Sequence, residues 1–341
     1  MRRTKEIQQY ILDSIRGHPQ DVVAKTAAFF CVTRQAVNRH VNSLIKRGLI
    51  YAEGNTRQRA YKLKVTSTTT FSIPLKSLEE DRLWRERIRE HLADLQENIF
   101  SIWHYGFTEM VNNAIDHSEG INLTVVLEKT AADTHMLIID DGIGIFNKIK
   151  WEFGLEDERH AILELAKGKL TTDPQRHTGE GIFFSSRMFD HYRIMSGGVF
   201  FSHSFDEETD WIIESEAHKD GTVVSMMLKN SNKTTPKEIF DKFSSDEYEY
   251  GFSKTAILVI LAKQGLEQLI SRSQAKRLLA RLDQFKEVIL DFKGVDDIGP
   301  AFADEIFRVF ANFHPEIRLV SVNTNQNIEK IILKAKTNRP A

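Results

Sequence analysis

Phe107–Ser118 reads FTEMVNNAIDHS, and two glycine-containing boxes follow it: Leu137–Phe146, LIIDDGIGIF, and Thr178–Ser186, TGEGIFFSS. On a helix Glu109 and Asn113 stand at i and i+4 and share one face, which Asp116 and His117 extend. A carboxylate and an amide one turn apart suit a metal-phosphate task. The amide oxygen can ligate Mg2+, which prefers oxygen donors, and the carboxylate can orient or deprotonate a water or hydroxyl. Taken alone, the stretch reads as a polar helix face in solvent.

The boxes change that reading. Ile121–Leu127 and Met136–Ile139 read as strands, the second running into Asp140-Asp141-Gly142-Ile143-Gly144. A carboxylate at a strand end can accept from an adenine exocyclic amine, and glycines after it let the backbone approach the ring. Gly179-Glu180-Gly181 opens a helix, GIFFSSRMFD, whose N-terminal N–H groups suit phosphate. Roughly 30 residues separate these boxes, rich in helix formers around Glu156–Lys169, and that length suits a lid. Arg176 and His177, at the end of this span, read equally as phosphate contacts or as solvated loop charges. Asp220-Gly221-Thr222 precedes an apolar strand, VVSMML. No G-x-x-x-x-G-K-[ST] phosphate loop is present.

In this order the residues resemble the GHKL ATPase superfamily, which includes gyrase B, histidine kinases and anti-sigma-factor kinases. The resemblance covers about residues 95–230. It implies an ATP-binding domain at 78–230 with a two-layer α/β sandwich fold. By the same resemblance Glu109 is the general base of the hydrolysing members, Asn113 holds Mg2+ and Asp140 binds adenine. Gly142 and Gly144 form the first glycine box, Gly179 and Gly181 the second, and Thr222 lies near the adenine. Asp116 and His117 complete the ATP-binding set. Hydrolysis, phosphoryl transfer and simple binding of ATP all stay open at this point.

The chain has 341 residues, room for two or three domains. No run of about 18 apolar residues occurs, so no membrane span is expected. The first ten residues, MRRTKEIQQY, lack the apolar core of a secretion signal, which favours a cytoplasmic location. Cys31 is the only cysteine, which excludes an internal disulfide. Beside Phe29 and Phe30 it is expected to be buried.

A net charge of −2 conceals an asymmetry: residues 1–65 hold 13 lysines and arginines against 4 acidic residues. A basic head on an acidic body argues for a polyanion partner at the head. Three helical patterns fit this head, the third capped by Thr33 and carrying Ala36, Val37, His40, Val41, Leu44 and Ile45 inward. Two short strands follow around the polar turn Glu53–Arg59. The order resembles a winged helix-turn-helix, implying double-stranded DNA as partner. Arg34, Gln35, Asn38 and Arg39 would then read bases in the major groove, and Arg57 and Arg59 on the wing would contact phosphate.

Thr66–Thr70 reads as a short polar linker. Leu83 to Trp103 carries the spacing of one amphipathic helix of about six turns. Such a helix suits either a homodimer seam or, preferably, packing onto its own domain. His91 lies on it without the context of a phosphorylated kinase histidine and is read as structural. Asn230–Tyr250 is expected to be a second linker. Beyond it strands and helices alternate, implying a small α/β layer over 250–338. VILDFKGVDDIGPAFADEIF in this segment resembles a STAS domain, the fold of anti-sigma-factor antagonists, which implies a protein partner. The position where phosphorylated members carry a serine reads Ile298-Gly299-Pro300-Ala301, with no hydroxyl. The fold expected is thus multidomain α/β (α+β), and the function that of an ATP-binding regulator. The alternative is a protein serine or histidine kinase of the anti-sigma-factor type acting on a separate partner.

Overall fold

The computed structural model describes residues 2–55, 58–171, 178–204, 212–244, 251–263 and 268–337. Among them the structure is mixed α/β, with a two-stranded, a three-stranded and a five-stranded sheet. The basic head contains α1 (Arg2–Ser14), α2 (Val22–Phe30) and α3 (Arg34–Lys46), then the antiparallel pair β1 (Ile50–Glu53) and β2 (Ala60–Leu63). Thr33 caps α3, its Oγ1 accepting from Ala36 N at 3.2 Å. Ile7 and Ile11 of α1, Val37, Val41 and Leu44 of α3, and Tyr61 close a separate apolar cluster. Cys31 departs from expectation: it is exposed, because it terminates α2 in the left-handed conformation at φ 52° and turns away from the cluster.

Of the expected linker Thr66–Thr70, residues 67–70 instead belong to β3 (Ser67–Pro74). It pairs antiparallel with β4 (Asn122–Lys129) from Ser67–Lys129 to Pro74–Asn122. The serines and threonines that made it look like a linker lie on a sheet edge, where one row of side chains faces solvent. The sheet continues through β5 (Asp133–Asp140), β7 (Ile212–Lys229) and β6 (His191–Ser204), every neighbour antiparallel.

The expected single helix of about six turns is also broken. α4 (Glu80–Leu83) passes through a π turn into α5 (Arg89–Leu92), and α6 (Glu97–His117) starts afresh. Lys129 Nζ donates to His91 O at 2.8 Å and pairs with Asp94, so a tertiary contact satisfies the end of α5. The His91 side chain is exposed. Helix α6 buries Trp103, Phe107, Met110 and Val111 against the sheet face formed by Leu123, Val125, Met136 and Ile138. α7 (Ile145–Phe153), α8 (Glu158–Lys167) and α9 (Gly181–Met188) complete the apolar cluster of that face.

Within the expected linker Asn230–Tyr250, residues 236–243 form α10 (Pro236–Phe243), opened by a Thr235–Glu238 capping box. Its Phe240 and Phe243 pack edge-on against Phe184 and Phe183 of α9. The C-terminal segment follows: β8 (Lys254–Leu258), α11 (Arg272–Leu279), β9 (Glu287–Asp291), α12 (Pro300–Asp304), α13 (Ala311–Phe313), β10 (Arg318–Val322) and α14 (Gln326–Thr337). Its strands are parallel, with β9 central. One continuous apolar cluster runs from Leu75 through the five-stranded sheet to Ala335. Middle and C-terminal segments therefore share a core, whereas the head keeps its own.

The head joins the body at the β4–β5 turn, where Ala131 and Ala132 enter the head's cluster. Arg16 donates from Nε and Nη2 to the buried carboxylate of Asp133 at 2.5 and 2.9 Å. No described helix is long and apolar enough to cross a membrane.

Candidate functional site

A cavity of about 390 Å³ opens between α6, the end of β5, α7, and the start of α9. Its size falls within the range of small-molecule sites, about 300–1,000 Å³. Glu109, Asn113 and His117 line it from α6, Asp140 from β5, Gly179 and Gly181 from the second glycine box, and Thr222 from β7. Residues far apart in sequence thus meet in one place.

Asp116 does not join them. It lies about 100° round α6 from His117 and is exposed. Gly142 and Gly144 do not line the cavity either; they shape the loop beside it. A Cβ on Gly142 would stand 2.0 Å from Ser118 O. Glycine is required there by the close pass of the loop over the end of α6, where Ile143 N donates to Ser118 O at 2.9 Å. Gly144 takes φ 86° and starts α7. Arg176, His177 and the wing's Arg57 lie outside the described residues.

Asp140 is 7% exposed. Its Oδ1 accepts from Gly142 N at 3.0 Å and Thr222 N at 3.2 Å. Burial lifts its carboxyl above the ordinary value, and these N–H donors pull only partly back. Thr222 Oγ1 accepts from Ile145 N at 3.0 Å, tying the first turn of α7 to the same corner. The neighbouring Asp141 does structural work instead. It accepts from Ile121 N, Asn122 N and Asn122 Nδ2 at 2.7, 2.8 and 2.9 Å, contacts that hold its carboxyl low.

On the opposite wall the Glu109 carboxylate lies against the first residue of α9, so close that a Cβ on Gly181 would sit 1.9 Å from Oε2. Glu180, between the two glycines, also faces the cavity, and burial raises its carboxyl. The sequence reading missed Glu180, Asn112 and Lys148 as lining residues. Asn112 is three residues from Glu109, and Lys148 four from Gly144; helical spacing from an already chosen residue was the available signal.

In the head, Arg34, Gln35, Asn38 and Arg39 are all exposed along α3. Arg59 is exposed at the hairpin, its guanidinium 5.4 Å from the Tyr61 ring centre.

A family model described as a STAS-like domain of unknown function (DUF4325) matches residues 274–329. The C-terminal segment carries a STAS-like domain. Curated proteins give no match to the chain. The STAS-like domain packs on the helices that flank the cavity. Lys167, at the end of α8, is buried and pairs with buried Glu164 at 2.5 Å. Its Nζ also donates to Arg277 O and Ala280 O at the end of α11, at 3.0 and 2.8 Å. Thr255 Oγ1 of β8 donates back to Lys167 O at 2.6 Å. Burial pulls the Lys167 ammonium below its usual range, against the attraction of Glu164. From α9, Arg187 stacks over Phe183 at 3.5 Å and donates to Ala256 O at 3.0 Å. Leu165 and Leu170, either side of Lys167, line the cavity itself.

Proposed function

We propose that the chain is an ATP-binding regulator. On this reading a GHKL-type site at 78–230, its sheet extended by 67–74, is coupled to a DNA-binding winged helix at 1–65 and to the STAS-like domain as a docking module. A cytoplasmic location goes with this role. The observation that carries the reading is the convergence of Glu109, Asn113, Asp140, Gly179, Gly181 and Thr222 on one cavity. A buried carboxylate on one wall suits an exocyclic amine. The carboxylate–amide pair of α6 suits a hydrated Mg2+, and the N–H groups at the start of α9 suit phosphate. Bound ATP would bring a transferable phosphoryl group. Asn113 would hold the metal, Asp140 the base, and Glu109 would orient or deprotonate a nucleophilic water or hydroxyl.

Coupling of the cavity to the STAS-like domain is supported by their shared core and by Lys167, which ties a cavity-lining helix to α11; coupling to the head would run through the Arg16–Asp133 pair and the β4–β5 turn. A ligand shifts such an assembly only if it binds the two arrangements unequally. DNA affinity of the full chain should therefore change when Mg-ATP is added; equal affinities would end the coupling proposal.

A second reading, a protein serine or histidine kinase of the anti-sigma-factor type acting on a separate partner, rests on the resemblance of the fused C-terminal segment to anti-sigma-factor antagonists. Incubation with γ-labelled ATP and candidate partners separates the two. Stable label on protein supports the kinase, free phosphate an ATPase, and retained ATP a sensor. Glu109→Ala should lower turnover by about 10²–10⁴-fold if Glu109 is the base, while nucleotide binding persists. Turnover within twofold of wild type would remove Glu109 from that role.

A further inference from the structure

The cavity walls are rich in negative charge. Glu109, Asp140 and Glu180 all line it, and a polyphosphate entering there needs compensating cations. Among the described lining residues the cationic candidates are Lys148 and His117. Lys148 stands in the first turns of α7, and its side chain is 19% exposed. It is an ion-pair partner of Glu119 and lies 3.7 Å from Glu152. Glu119 follows the end of α6 directly and has φ 58°, a conformation uncommon for a glutamate. The carboxylate itself is 58% exposed, so solvent can take over its solvation when the lysine leaves.

From this arrangement we infer that Lys148 is a phosphate-contacting residue of the cavity and Glu119 its resident counter-ion, so that nucleotide phosphate and Glu119 compete for one ammonium. The inference rests on the nucleotide reading of the site. A long flexible stem and three donors allow a lysine to exchange one oxyanion for another without backbone movement. Lys148 also lies on the helix that Thr222 ties to Asp140.

The test is the affinity of the full chain for adenosine, ADP and ATP with Mg2+, for wild type, Lys148→Met and Glu119→Gln. Wild type should bind ATP more tightly than adenosine. Lys148→Met should weaken ATP about ten- to hundredfold, the scale of a lost charge-assisted hydrogen bond, with adenosine unchanged. Glu119→Gln should tighten ATP by about two- to fivefold, as expected for removing a partly exposed ion pair, again with adenosine unchanged. A Lys148→Met chain that keeps the wild-type ratio of ATP to adenosine affinity overturns the inference and leaves the nucleotide reading standing. So does an unchanged ATP affinity in Glu119→Gln, which keeps the lysine in place should Lys148→Met fail to fold. If wild type binds none of the three compounds, the nucleotide reading itself falls.

Discussion

Asp140 illustrates the opposed demands on one side chain. It is buried, its carboxyl is raised from the ordinary 3.8, and its Oδ1 already serves two backbone N–H groups. The folded chain holds a proton there more readily than the unfolded chain. Stability from this group is therefore lost as pH rises from 3.8 through the raised value, and the penalty is full above it. Asp140→Asn keeps an acceptor for both N–H donors and removes the charge. We expect it to melt at or above the wild-type temperature at neutral pH while nucleotide binding weakens about tenfold or more, a separation of stability from function. A lower melting point would mean that the ionised carboxylate stabilises the fold. At this scale the sequence made the cavity lining legible where a residue type is scarce and its spacing fixed: Asp140, Gly179 with Gly181, and Glu109 with Asn113. It misled at Gly142, whose need for glycine comes from Ser118 O, a contact no local pattern contains. It was silent on Lys148, because an isolated charge on a helix normally faces water, and on Glu180, because a charged residue in a glycine loop normally does too.

Among elements, α8 carries both the cavity wall and the junction with the STAS-like domain. Lys167 is buried with Glu164 and holds two carbonyl groups of α11. Lys167→Met strands the Glu164 carboxylate without its closest cation, and we expect a loss of about 3–5 kcal/mol in urea unfolding. Replacing both residues by apolar ones of similar volume should cost less than the single change, since no buried charge is then left behind. A double variant no better than Lys167→Met would place the effect in the α11 carbonyls instead. The elements themselves divide by legibility. Helices α1 to α3 and strands β4 and β5 follow from periodicity. Strand β3 does not, because STTTFSIP at a sheet edge has the composition of a linker. The break between α5 and α6 is invisible because Lys129, far along the chain, sets it.

At the scale of the molecule, the basic head meets the body through Arg16 on Asp133, the hydrogen bond from Ser231 Oγ to Asp13 Oδ2 at 3.1 Å, and the alanines of the β4–β5 turn. The composition split between residues 1–65 and the remainder made the head visible in the sequence; the contact depends on tertiary pairing and was not. If nucleotide occupancy reaches the head by this route, Arg16→Ala should keep both DNA and ATP binding but abolish the effect of Mg-ATP on DNA affinity. An undiminished effect would locate the coupling elsewhere. DNA affinity should in either case fall steeply with salt, as phosphate contacts require. The whole scheme depends on the cavity being a nucleotide site. Titrating Mg-ATP into the wild-type chain and into Asp140→Asn, followed by calorimetry, tests this most directly. Wild type should show saturable binding at one site per chain, weakened about tenfold or more in Asp140→Asn. Equal binding by both chains, or no binding by wild type, would contradict it.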